Sequence, residues 1–168
     1  MAESFDEYRR RVLGCLGSRE PIAVLRRTPR RLADLTADCT RRKLARRPMV
    51  GKWSVQEIVA HLADAELAFG WRIRNVAVTP GVALQWWDEH LWSERLRYMR
   101  IPIRESLASF AAQRAANLRV LRNLPPSAQA EAFGEHPKRG RQTLQDFVVM
   151  EAAHDLNHMR QIEALLRS

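Results

Sequence analysis

The sequence predicts an all-α fold, a four-helix bundle with short N-terminal and connecting helices. In four long segments, apolar residues recur at helical spacing. Each segment begins or ends at a capping residue, a proline or a glycine. The 168 residues, 46% of them hydrophobic, are enough to bury one core. Strand patterns are hard to find, and there is no internal repeat. We therefore expect a single domain over residues 1–168, with residues 1–19 as an N-terminal lead-in helix.

The first two predicted helices cover residues 5–16 and 20–35, where apolar residues recur at helical spacing. Proline removes a backbone donor and clashes with the preceding turn, so we expect Pro29 to bend or restart the second helix. The basic run at residues 41–47 predicts a loop.

The second long bundle helix has a sharp predicted start at Ser54. Ser54 and Glu57 have the spacing of a capping box, in which each side chain bonds the other residue's backbone N–H. The helix should run to about residue 78. Its core-facing residues share an arc about 80° wide: Val55, Ile58, Leu62, Ala65, Phe69, Ile73 and Val76.

Two further long helices complete the predicted bundle. A short helix is expected at residues 88–98, and a long one at residues 103–124, ending before Pro125-Pro126. A polar loop at residues 134–140 then precedes a cap-like start at Thr143 and a last helix that reaches almost to residue 168.

The last helix carries polar side chains on its apolar face. His154 and His158 are four residues apart, so both can reach one point, and Glu151 and Asp155 fall on the same arc. Leaving such groups buried and unpaired would cost on the order of several kcal/mol. One interpretation is that the histidines are satisfied by hydrogen bonds to Glu151, Asp155 or the backbone. The other is that a bound cation organises all four groups.

His61 is the third candidate ligand, because it lies at the flank of the apolar arc of the Ser54 helix. Three imidazoles without a cysteine leave a coordination position open to water or substrate, as in catalytic metal sites. Glu57, Asp64 and Asp155 are candidates to orient the imidazoles. Glu57 could equally only complete its capping box, and the two aspartates could be ordinary ion-pair partners.

Three other sets of residues lack an assigned role. Arg114 falls within an apolar arc and could direct an anion-binding fork into the cavity, although snorkelling at the bundle end is the favoured interpretation. Neither His90 nor His136 is assigned to the metal. Five tryptophans could wall a pocket, but core packing is favoured: Trp53, Trp71, Trp86, Trp87 and Trp92.

Composition excludes several classes of protein. The net charge of +9 comes mostly from residues 1–47, and the remainder is nearly balanced, which argues against nucleic-acid binding. No stretch reaches the roughly 20 apolar residues of a membrane span. Cys15 and Cys39 match no metal or redox spacing, so we expect no disulfide. These features predict a cytoplasmic protein without membrane partners.

Two motifs resemble those of the DinB/YfiT-like superfamily. The first is GKWSVQE at residues 51–57 followed by HLADAE at residues 61–66, and the second is AHDLNHMRQI at residues 153–162. The resemblance extends from about residue 28 to the last helix. It implies up-down-down-up connectivity and one metal ion held by a histidine of the second long helix and two of the last. His61, His154 and His158 stand at those positions.

The resemblance also limits the reaction. Characterised members include transferases and isomerases that use bacillithiol, mycothiol or glutathione, and others are called metal-dependent hydrolases. The family is unrelated to the translesion polymerase of similar name. The shared fold does not by itself settle the chemistry.

Two functional hypotheses follow. In the first, an enzyme uses nickel or zinc at the three histidines to activate a low-molecular-weight thiol or water against a small electrophile. No catalytic residue is assigned beyond the ligands. In the second, a non-catalytic stress-response or binding module has a structural or vestigial site and a basic N-terminal surface for an acidic partner. The family makes a homodimer an expectation in either case.

Overall fold

Four long helices dominate the computed structural model, which describes residues 4–167. The helices are α1 (Phe5–Gly14), α2 (Pro21–Thr36), α3 (Arg41–Ala45), α4 (Val55–Val78), α5 (Glu89–Arg95), α6 (Ile103–Asn123), α7 (Pro126–Glu131) and α8 (Leu144–Arg167). A 3₁₀ turn covers Tyr98–Arg100, and the strands are β1 (Val82–Ala83), β2 (Phe133–His136) and β3 (Gly140–Thr143). Helices α2, α4, α6 and α8 form the predicted bundle, and α1 packs on α8.

Helices α4 and α6 run in parallel. The guanidinium of Arg114 bonds Glu66, and further along both helices Arg74 bonds Asn117. Because residue numbers increase in the same direction along both helices from one contact to the next, the two helices point the same way. A parallel pair needs a connection that returns along the bundle, and residues 79–102 provide it.

The other two bundle helices, α2 and α8, are also parallel to each other. Ile22 and Leu144, near the start of each helix, line one groove, and Arg31 pairs with Glu163 near the ends. Helix α4 opposes α8, because Val55 at its start packs in one cluster with Ile162 near the end of α8. The predicted up-down-down-up connectivity is therefore confirmed.

A small sheet corrects the prediction of a purely helical chain. Strands β2 and β3 form an antiparallel hairpin, and β1 pairs in parallel with β2. The expected polar loop at residues 134–140 is this hairpin. Its strands have four residues each, too short for alternation to be visible in the sequence.

Helix α2 does not restart at Pro29, which was one of the two predicted outcomes. Helix α2 is continuous from Pro21 to Thr36 with Pro29 inside it. A proline at this position deprives the carbonyl of Leu25, four residues earlier, of its helical donor. Nη1 of Arg114 donates to that carbonyl at 2.9 Å, so a neighbouring helix supplies the missing hydrogen bond.

Other differences are confined to short elements. The basic run predicted as a loop contains helix α3, which Thr40 caps. The helix expected at residues 88–98 is the shorter α5, followed by a 3₁₀ turn. Ser54 caps α4 with the predicted box, and α4 ends at Val78 as expected. Within residues 4–167 no helix is long and apolar enough to cross a membrane.

The core consists of two apolar clusters with a polar layer between them. One cluster surrounds Phe69 and Phe147, and the other surrounds Leu62 and Phe110. Between them lie buried polar side chains of α4, α6 and α8, at positions 66, 114, 117 and 155. This layer lies next to the histidines considered below.

We expect Gly70→Ala to destabilise the fold, although alanine favours helices by about 1 kcal/mol over glycine. A Cβ at Gly70 would lie 2.5 Å from Oδ1 of Asn117. That amide bonds Glu66 and Arg74 and has no freedom to withdraw. Overpacking should outweigh propensity, with a net loss of about 1–3 kcal/mol in urea unfolding. Gly14→Ala, in α1 with nothing within 4 Å, is the control. Equal stability of the two variants would contradict the close approach.

Candidate metal centre

Three histidines from two helices meet at the seam between α4 and α8. His61 comes from α4, and His154 and His158 stand one turn apart on α8. The Nε2 atom of His154 lies 3.1 Å from Nε2 of His61 and 3.0 Å from Nε2 of His158. The structure thus brings together all three residues that the sequence singled out.

These imidazoles are held neutral. Burial lowers the pKa of His61 well below its usual value, with the neighbouring histidines adding to the effect. Burial first, and the positive charge of Arg114 second, lower the pKa of His154 to about 4. Burial and His154 lower that of His158 to about 3. Neutral imidazole is the form that binds a metal ion.

The hydrogen bonds of the cluster fit a cation. Gln161 Oε1 accepts from Nδ1 of His158 at 2.8 Å, which leaves a lone pair on the Nε2 that faces His154. The Nε2 atom of a neutral imidazole can donate or accept a hydrogen bond but not both, so Nε2 of His154 cannot satisfy the two Nε2 atoms that converge on it. Ligand nitrogens of a tetrahedral zinc site are about 3.3 Å apart, close to the two separations here. The donor set and spacing suit a divalent metal ion.

The three carboxylates expected to orient the imidazoles have other partners. Glu57 accepts hydrogen bonds from Ser54, the N-cap of α4, and pairs with Arg47. Burial opposes ionisation of Glu57, but the hydrogen bonds from both partners outweigh it and lower the pKa of Glu57. Asp64 accepts from the hydroxyl of Tyr98. Asp155 accepts two hydrogen bonds from Arg114, at 2.7 and 3.2 Å.

Arg114 is buried at mid-bundle, so the snorkelling favoured from the sequence is wrong. Its side chain is 1% exposed and bonds Glu66, Asp155 and the carbonyl of Leu25. One guanidinium on α6 therefore joins α4, α8 and α2. Sequence reasoning missed Glu66, although an acidic residue beside the apolar arc of α4 was an available signal.

A cavity of about 750 Å³ opens onto the three histidines. The expected packing of tryptophans in the core holds only in part: Trp53 packs against the cluster around Leu62, but none of the five is buried and Trp71 is 64% exposed. Trp53 and Trp87 also lie against His61, with ring centroids 4.8 and 5.6 Å away, and line the cavity with Trp86. Trp86 and Trp87 belong to residues 79–102, the segment that returns along the bundle, and this course places both rings at the cavity.

Glu151 adds a carboxyl group to the cavity wall. Its Oε1 has no hydrogen-bond partner among residues 4–167, and it is 3.8 Å from the guanidinium of Arg114. Burial, together with Glu66 and Asp155, raises its pKa well above the ordinary value. The raised pKa keeps this carboxyl protonated to higher pH than is usual for a glutamate.

Two known proteins that are similar to this chain have the same name. The chain is 26% identical over 139 residues, 83% of its length and 80% of the relative's, to a protein from Oceanobacillus iheyensis named "Putative metal-dependent hydrolase". A protein of the same name from Bacillus mycoides is 24% identical, with 82% of this chain and 78% of the relative covered.

A solved structure shares the fold. It is YfiT from Bacillus subtilis, described as a probable metal-dependent hydrolase with an unusual four-helix bundle topology. The TM-score is 0.81 at 25% identity, and the match covers 88% of this chain and 84% of that one. The model of the DinB superfamily matches residues 24–162, which include all three histidines. This chain belongs to the DinB superfamily.

Proposed function

We propose that this protein is a metal-dependent hydrolase in which His61, His154 and His158 hold one divalent cation. The observation that carries the proposal is the convergence of three neutral imidazole nitrogens at the wall of a cavity. The names of the relatives in Oceanobacillus and Bacillus support hydrolysis as the reaction type. Three imidazoles suit zinc and nickel alike.

The chemistry that such a cation supplies is Lewis acidity, which polarises a carbonyl and brings the pKa of a bound water or thiol toward neutrality. The chain's own residues shape the surroundings. Trp53 and Trp87 cover His61 and exclude bulk water from that side. Gln161 fixes the ring of His158 through Nδ1, so its Nε2 stays directed at the shared point.

Glu151 is the proposed proton donor to the leaving group. Its carboxyl lines the cavity, its Oε1 has no hydrogen-bond partner among residues 4–167, and burial raises its pKa. A positioned acid contributes about 10²- to 10⁴-fold to such a step. Glu151→Gln should keep one bound metal ion and lower kcat by that factor, measured with an ester whose leaving group is poor. An ester with a good leaving group needs no proton and should be hydrolysed at the wild-type rate, and equal losses on both esters would contradict the role.

The direct experiment is metal analysis of protein prepared without a histidine tag, followed by a substrate screen. We expect one zinc or nickel ion per chain and hydrolysis of small esters or amides that stops after chelation and returns with added metal. A chain that takes up no metal, or an activity indifferent to chelation, would refute the proposal. Binding of an acidic partner at low salt without any turnover would favour the non-catalytic alternative.

Thiol transfer is the second candidate function, and the size of the cavity favours it. A volume of about 750 Å³ lies within the range of pockets that bind drug-sized ligands, so a low-molecular-weight thiol and an electrophile could be accommodated together. The substrate screen should therefore be run with and without bacillithiol, mycothiol and glutathione. Turnover that requires a thiol identifies a transferase, and turnover with water alone identifies a hydrolase.

Zinc binding should release almost no protons at pH 6.5. Three histidines of ordinary pKa would be half protonated at that pH and would release about 1.5 protons. Here the pKa values of all three lie well below 6.5, so the folded site already holds neutral rings. A lowered pKa means that protons compete with the metal for the imidazoles only at more acidic pH. Calorimetry in two buffers of different ionisation enthalpy measures the release, and a value above one proton would contradict the neutral cluster.

A further inference from the structure

A second polar group lines the cavity that contains the three histidines. Arg72 comes from α4, His136 from the end of β2, and Arg139 from the turn between β2 and β3. None of the three was expected at the site from the sequence. The hairpin, which the sequence analysis did not predict, thus contributes two of the three residues in this group.

His136 presents a buried donor to this cavity. The residue is 4% exposed, and its Nδ1 accepts the backbone N–H of Lys138 at 3.1 Å. The ring proton therefore resides on Nε2, and no described residue accepts a hydrogen bond from it. Burial, followed by the charges of Arg139, Arg72 and Lys138, lowers the pKa of His136 to about 4, so the ring is neutral. A buried N–H directed at a cavity indicates a ligand acceptor.

The two arginines concentrate positive charge beside this donor. Both are partly buried, and burial followed by the charge of Arg139 lowers the pKa of Arg72. Arg72 donates to the carbonyl of Gln85 at 3.0 Å and forms no ion pair within residues 4–167. Burial and the charge of Arg139 outweigh the opposing effect of Glu151 on the pKa of Arg72. Like charges held together at a cavity wall favour an anion between them.

We propose that Arg72, Arg139 and His136 bind an oxyanion group of the substrate, a carboxylate or a phosphate. Guanidinium forks and an imidazole N–H are suited to such oxygens. The apolar walls at Trp53 and Trp87 would contact the remainder of the molecule. The substrate is then an anionic small electrophile, anchored at one end while its other end reaches the three histidines. That placement of the reacting end rests on the proposed function, but the anion site itself needs no metal.

Anion binding to metal-depleted protein tests the proposal. Inorganic phosphate and succinate are titrated by calorimetry at low ionic strength into the wild type, Arg72→Gln and Arg139→Gln. Each variant should bind about tenfold or more weakly, because each loses a charge-assisted hydrogen bond. His136→Leu should also weaken binding. The relative affinity of the two probes distinguishes a phosphate from a carboxylate ligand.

Arg141→Gln is the matched control, because Arg141 lies in the same hairpin, is exposed and stacks on Phe133 outside the cavity. It should bind both anions like the wild type. Equal weakening in Arg141→Gln would show a general charge effect and overturn the proposal, as would failure of the wild type to bind either probe. Arg72→Lys keeps the charge without the fork and should retain part of the affinity, which separates binding loss from misfolding.

Failure of the anion site can be distinguished from failure of the proposed hydrolase function. Arg72→Gln and Arg139→Gln should still bind one equivalent of zinc, since neither residue is one of the three candidate ligands. Phosphate binding that persists in a chain unable to bind metal would leave the anion site intact and refute only the hydrolase. Normal zinc binding together with anion affinity unaffected by these variants would refute only the anion site.

Discussion

His154→Ala should abolish stoichiometric metal binding, because His154 is the central member of the cluster. Its Nε2 lies within 3.1 Å of the Nε2 atoms of both other rings. Zinc sites in small proteins contribute roughly 10–16 kcal/mol shared by four ligands, so one ligand corresponds to about two to three orders of magnitude in the dissociation constant. Hydrolytic or thiol-transfer activity should be lost with the metal, and the helical circular dichroism spectrum should remain. Metal content after gel filtration is the primary measurement.

His90→Ala is the matched control for this prediction. His90 is exposed near Trp53, at a ring distance of 5.3 Å, and lines the same cavity without joining the cluster. It should retain one metal ion. Full metal retention and activity in His61→Ala, His154→Ala and His158→Ala would eliminate the proposed centre.

Arg114→Met should be among the most destabilising single substitutions in the chain. It leaves Glu66 and Asp155 buried without their cation and the carbonyl of Leu25 without a donor. Removal of one partner of a buried ion pair costs about 3–5 kcal/mol, a large part of the stability of an ordinary domain. Urea unfolding measures the loss. Arg119→Met, on the exposed face of the same helix, should change stability by less than about 0.5 kcal/mol.

Two compound variants separate the contributions of Arg114. The triple variant Arg114→Met, Glu66→Gln, Asp155→Asn removes the uncompensated charges and should recover part of the stability. Pro29→Ala in the Arg114→Met background restores an N–H opposite the carbonyl of Leu25 and should recover about 1 kcal/mol. No recovery in either variant would contradict the role given to the guanidinium.

The helical architecture was predictable because its signals are local. The capping box at Ser54 and the apolar arc of α4 lie within a few turns, and the structure confirms both. The convergence of the three histidines was also expected, since His154 and His158 are one turn apart and His61 stands on a facing helix. The motif resemblance supplied the connectivity, which periodicity alone does not determine.

The remaining features depend on partners distant in sequence. Continuity of α2 through Pro29 requires a donor from Arg114, which is 89 residues from Leu25. The hairpin is held by backbone pairing and leaves almost no pattern in its side chains. His136 and Arg139 enter the cavity only because the hairpin forms. The pairing of Arg114 with Glu66 links positions 48 apart, which no short-range rule connects.

The parallel course of α4 and α6 has an evolutionary consequence. The imidazoles stand on α4 and α8, whose positions the bundle core fixes. Part of the wall around them comes from the crossover at residues 79–102 and from the hairpin, which contribute little to that core. Mutations in these two segments can therefore alter which molecules are admitted without disturbing the reactive centre. Such a division of labour lets one scaffold diversify its substrates while its chemistry is conserved.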